Sequence, residues 1–138
     1  MKSKQILDVQ QMQHLQELGI KMDYDTLYRY VKFEDTDWLL KPFSDLNIIG
    51  ISCKYIPAYT LQDVLDALPK DISKDGCTWY ASLYIDFENN RIAYGNTDRY
   101  GFEIYHEIII EKDLIDAAYS MLCWAIENKF VETDKKYE

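Results

Sequence analysis

The sequence predicts an α+β domain: an antiparallel sheet of five to six strands with three helices mainly on one face, in the order α-β-β-β-α-β-β-β-α. Three observations carry that expectation. The chain has 138 residues, the size of one domain. Apolar residues recur at helical spacing in three places, and between the second and third of these the side chains alternate with a period of two. The absence of a regular strand–helix alternation favours a meander over a doubly wound parallel sheet. A chain of this length buries roughly 68% of its unfolded surface, enough for a core without disulfide or metal staples.

The elements follow in order. Ser3 precedes residues 4–18, where Ile6, Val9, Met12, Leu15 and Leu18 mark one amphipathic helix, and Gly19 stands at the stop position. Residues 26–43 are rich in Tyr, Phe, Val and Trp and are broken by Glu34, Asp35, Thr36 and Asp37. This pattern predicts two strands joined by an acidic turn, the second closed by Pro42. Residues 47–56 form a β-prone run that stops at Pro57, with Gly50 hinting at a bulge or a weak edge. Thr60 then caps a short helix striped by Leu61, Val64, Leu65 and Leu68 and ended by Pro69.

Residues 79–87 alternate strictly, with Trp79, Ala81, Leu83, Ile85 and Phe87 on one face and Tyr80, Ser82, Tyr84 and Asp86 on the other. Asn89 and Asn90 tolerate positive φ and predict a two-residue hairpin turn in which Glu88 pairs with Arg91, Phe87 faces Ile92 and Ile85 faces Tyr94. In residues 102–110, Phe102, Ile104, His106, Ile108 and Ile110 share the helix-facing side, leaving Glu103, Tyr105 and Glu107 outward. Lys112 or Asp113 opens a long helix to about Lys129, whose wide stripe of Leu114, Ile115, Ala118, Tyr119, Leu122, Ala125 and Ile126 predicts the most buried helix.

Fifteen basic against 24 acidic residues leave a net charge of −9, a field that repels phosphate backbones and anionic lipid and speeds encounter with a basic partner. Neither nucleic acid nor a membrane is therefore expected as a partner. Cys53, Cys77 and Cys123 are odd in number and widely spaced, which predicts reduced thiols rather than a zinc knuckle or redox dithiol. No apolar leader follows Met1 and no run approaches the roughly 18 apolar residues of a membrane span, so the expected compartment is the cytoplasm.

Catalytic chemistry has little to stand on. The five glycines are scattered singly, so no phosphate-cradling loop exists. The Glu34, Asp35 and Asp37 cluster lacks the spacing and central glycine of a calcium loop, and neither a metal nor another cofactor is expected. His14 falls on the polar side of its helix; His106, on an apolar strand face, reads first as a core residue. An enzyme would have to use His106 with a nearby carboxylate or cysteine as acid and base.

The least ordinary feature is the aromatic content, with 12 Tyr and 3 Trp. Helices on one side of the sheet would leave Tyr80, Tyr84 and Tyr105 on an open wall with Asp86, Glu103 and Glu107. Tyrosine joins a large contact area to a polar tip at low entropic cost, which suits an interface. These six residues are the expected protein-binding set, for a partner or for self-association, and no residue is expected to be catalytic.

Two stretches, YTLQDVLDALPKDI at 59–72 and DLIDAAYSMLCWAIENKF at 113–130, resemble small proteins encoded by phages and integrated mobile elements of gut anaerobes. That group carries no assigned activity, so the resemblance implies a genomic setting and no catalytic residue. The expectation that results is a small acidic accessory protein that binds another protein without turnover. The alternatives are a homo-oligomer built through the open sheet face and the His106 enzyme.

Overall fold

The computed structural model describes residues 4–23, 25–42, 53–73, 80–97, 99–101 and 103–133. Asp8 starts α1 (Val9–Glu17): its carboxylate accepts from the Gln11 N–H at 2.8 Å while the Gln11 side chain accepts from the Asp8 N–H at 3.0 Å. This reciprocal cap satisfies two otherwise orphaned donors. The helix begins later than the expected residue 4, because residues 4–7 run as an extended arm. Ile6 bridges to Thr60, and the Leu7 N–H donates to the Tyr59 carbonyl at 2.9 Å. Ser3 lies outside the described residues. Gly19, at φ 89°, ends the helix where an L side chain would be strained.

Strands β1 (Tyr28–Lys32), β2 (Leu39–Pro42) and β3 (Lys54–Ala58) form an antiparallel sheet in the order β2-β1-β3. The acidic turn joins the first two as expected, held by Thr36, whose N–H donates to the Phe33 carbonyl and whose hydroxyl accepts from the Phe33 N–H. Pro57 lies inside β3, where an edge strand tolerates the missing donor. Gly50 lies outside the described residues. Helix α2 (Leu61–Ala67) has the expected Thr60 cap, closed by Asp63, whose carboxylate accepts the Thr60 N–H at 2.9 Å.

A second antiparallel sheet follows, with β4 (Asp71–Ser73), β5 (Tyr80–Asp86), β6 (Arg91–Thr97) and β7 (Glu103–Ile110) in sequence order. Helix α3 (Leu114–Glu127) packs across β6 and β7 and also contacts α2. The α+β class and the order of helices and strands match the expectation, with β4 as an addition. The single sheet of five to six strands is corrected to two sheets of three and four strands. Among the described residues no ladder joins them: β3 packs on α1, Pro57 deprives it of a backbone donor, and the chain passes through α2 before β4 pairs with β5.

The core lies between α3 and the inner sheet face. Ile115, Ala118, Met121, Leu122, Ala125 and Ile126 of α3 are buried in one cluster with Ile92, Tyr94 and Ala81 of the sheet, and Met12 and Leu15 of α1 join it. Tyr94 stacks on Trp124 with centroids 6.0 Å apart and donates its hydroxyl to the Pro69 carbonyl at 2.6 Å. The extended arm is tied to α3 by Lys4, whose ammonium lies 2.8 Å from Asp116, a carboxylate that also accepts from Gln11.

Two registers differ from expectation. In the β5–β6 hairpin the ladder closes at Asp86 and Arg91, so Ile85 faces Ile92 and Leu83 faces Tyr94. The turn has four residues because the Asp86 carboxylate accepts from the Asn89 backbone at 3.2 Å and side chain at 2.8 Å, leaving Asn90 at φ 50°. The shift is two residues, an even number, so each side chain keeps its face.

In β7 a bulge between Tyr94 and Gly95 reverses the face of everything beyond it. Glu107 pairs with Tyr94 and so takes the α3 side, while Ile108 opposite Ala93 and Ile110 opposite Arg91 turn outward. His106 falls at the bulge and is exposed, not held on an inner apolar face. Phe102 and Trp79 lie outside the described residues.

Candidate functional site

Pleating assigns the outer face of the four-stranded sheet. The side chains of Tyr80, Ser82, Tyr84 and Asp86 alternate with the inward Ala81, Leu83 and Ile85 of β5, and cross-strand register carries the same face to Asp71 of β4, to Arg91, Ala93 and Gly95 of β6, and to Glu103, Tyr105, Ile108 and Ile110 of β7. Five of the six expected residues therefore share this face; Glu107 leaves it for the reason given above. Tyr80 is 61% exposed, Tyr84 47%, Ile108 40% and Ile110 63%.

The centre of the wall is a floor of small residues. Ala93 and Gly95 are buried although they face outward, because larger neighbours close over them. Tyr105 does so most tightly: a Cβ on Gly95 would lie 2.7 Å from the Tyr105 ring and 2.6 Å from the Ile104 carbonyl oxygen. Only glycine lets the Tyr105 ring lie this close to the strand.

The polar groups on the face are paired with one another. Ser82 donates to Asp71 at 2.7 Å, and the Tyr105 hydroxyl donates to the Glu103 carboxylate. The Arg91 guanidinium sits 5.8 Å from the Tyr105 ring centre and 3.6 Å from Asp86, a cation held between a π face and a carboxylate. Asp86 is held below the ordinary carboxylate range, first by the Asn89 side-chain hydrogen bond and then by its backbone contacts and Arg91. The Tyr105 phenol is pushed up, chiefly by the hydrogen bond it donates to the Glu103 carboxylate.

This arrangement offers contact surface rather than reactive groups. A phenol with a raised pKa keeps its proton and serves poorly as a base. Among the described residues no three His, Cys, Asp or Glu side chains gather as a metal site. Burial raises the Cys123 thiol, which lowers its thiolate fraction; Cys53 is also unbridged, and Cys77 lies outside the described residues. A groove of about 550 Å³ elsewhere, lined by Leu27, Tyr28, Leu61, Leu65 and Phe87 among others, contains neither histidine. Among the described residues no helix is long and apolar enough to cross a membrane.

Sequence reasoning missed Arg91, Ile108 and Ile110 as members of the wall. One signal pointed to the last two: a glycine inside a strand often marks a bulge, and Gly95 does so here. No family model matches the chain, and comparison with curated proteins and with solved structures gives no match either.

Proposed function

We propose that this chain is a small cytoplasmic accessory protein of a phage or mobile element, which binds another protein through the outer face of the β4–β7 sheet and performs no turnover. The observation that carries this reading is the wall itself, in which Tyr80, Tyr84, Ile108 and Ile110 stand in solvent on a sheet that α3 pads, among the described residues, on its other side. A contiguous aromatic and aliphatic patch rimmed by Asp71, Asp86 and Glu103 has the composition of a recognition surface.

Its size favours a partner over an obligate dimer. Strands of three, seven, seven and eight residues side by side span an area on the order of 400 Å² at ~3.3 Å per residue and ~4.8 Å per strand. Standard interfaces bury about 800 Å² per partner, so the sheet face alone suits a transient contact. The net charge of −9 disfavours nucleic acid and anionic membranes and favours a basic protein. The mobile-element setting rests on the resemblance of residues 59–72 and 113–130.

The test is differential capture from a bacterial lysate. A Tyr80→Ser, Tyr84→Ser, Ile110→Ser triple variant should lose a protein that both the wild type and an exposed-helix control, Glu127→Ala, retain. Identical captures by all three, at low and at high salt, would remove the binding reading.

A further inference from the structure

We propose that residues 107–110 of β7 take up an added strand from the protein partner, a segment with β-branched apolar residues at its centre and Lys or Arg at its ends. The inference rests on the protein-binding reading and gives it a geometry. β7 closes one edge of the sheet, so among the described residues one row of its backbone N–H and C=O groups has no strand beside it. Such a row is a template for strand addition. The opposite edge, β4, has three residues.

Edge strands are commonly guarded by lysine, proline or a bulge. β7, with the sequence EIYHEIII, has no lysine and no proline; its guard within residues 107–110 is the Glu107 carboxylate, which accepts the Ile108 N–H at 3.0 Å and which an added strand displaces. Its bulge falls between the Tyr94 and Gly95 levels and leaves residues 107–110 in unbroken register with β6. Four residues lie within the ordinary length of a strand, roughly three to ten.

The flanking charges select the partner. Glu107 and Glu111 bracket Ile108 and Ile110, both of which are largely exposed. Cross-strand pairs of β-branched residues and of opposite charges each stabilise a ladder, while like charges directly opposite weaken it. A second copy of β7 paired about Ile109 would set each Glu107 against a Glu111, so self-pairing is disfavoured where a basic segment is favoured.

The probes are three blocked peptides, acetyl-KVTVK-amide, acetyl-EVTVE-amide and acetyl-KPTPK-amide, whose end charges are spaced as Glu107 and Glu111 are, titrated into the full chain with backbone amide shifts and hydrogen exchange as readouts. The lysine–valine peptide should slow exchange within residues 107–110, and Glu107→Gln with Glu111→Gln should weaken it about three- to tenfold. The proline peptide has the same charge and lacks alternate N–H donors, so equal binding by it overturns strand addition. Equal binding by the acidic peptide overturns the charge selection. Slowed exchange outside β7, or no binding by the lysine–valine peptide, overturns the edge site. Should the edge fail while the triple variant still loses its captured protein, the binding face stands without strand addition; should the triple variant lose nothing, the reading beneath both falls.

Discussion

Gly95→Ala probes the tightest contact on the outer face. Gly95 lies in β6 between Ser82 and Tyr105, and its substituted Cβ would stand 2.6 Å from the Ile104 carbonyl oxygen. Ordinary C···O contacts begin near ~3.3 Å, so the methyl is about 0.7 Å too close. The Tyr105 ring can rotate away, but the Ile104 carbonyl is backbone at the level where β7 leaves its bulge. Overpacking of this kind costs about 1–3 kcal/mol. It opposes the ~0.4–1 kcal/mol that a Gly→Ala change gains by restricting the unfolded chain. The clash wins, and the variant should melt about 3–10 °C below the wild type. Thermal and urea melts followed by circular dichroism read this directly. A Gly95→Ala protein as stable as the wild type, or more so, would refute the placement of β7 against β6.

Other substitutions separate the two faces of the sheet and the groups behind it. Leu122→Ala, fully buried in α3, should cost about 2–5 kcal/mol, whereas Tyr84→Ala should stay under about 1 kcal/mol in the same denaturation series. Tyr94→Phe removes the hydroxyl donated to Pro69 and should cost about 1–3 kcal/mol at neutral pH. Burial pushes the Tyr94 phenol up, so its contribution is complete below about pH 10 and is lost as pH rises above that value. Urea midpoints between pH 9 and 11 should therefore fall less steeply for Tyr94→Phe than for the wild type. Burial raises Asp116, but the hydrogen bonds from Lys4 and Gln11 outweigh it and hold the carboxyl below its ordinary value. Its stabilisation is full above about pH 4 and is lost as pH falls further, so the deficit of Asp116→Asn, up to about 1 kcal/mol, should shrink in acid melts.

Much of the fold was legible because its signals are local. The stripe from Leu114 to Ile126 and the Thr60 cap each depend on residues within a turn or two of one another. The alternation in β5 put Tyr80 and Tyr84 on the open face and Ala81 inside. What escaped depends on distant partners. The face of Ile108 and Glu107 is decided by a bulge against β6, and the hairpin register by Asp86 capping Asn89. The split into two sheets depends on which strand β4 meets, a choice that no periodicity within residues 71–73 records. The wall was thus legible where it lies on β5 and misread where it lies on β7.

The binding reading stands on the exposure of Tyr80 and Tyr84 on a sheet whose other face, among the described residues, α3 pads. A soluble paramagnetic agent added to the isotope-labelled, dilute protein measures it, since ring signals broaden according to their access to water. Strong broadening at Tyr80 and Tyr84 with Tyr94 spared is the expected result; rings of Tyr80 and Tyr84 as protected as that of Tyr94 would mean that the outer face is covered and the binding wall does not exist.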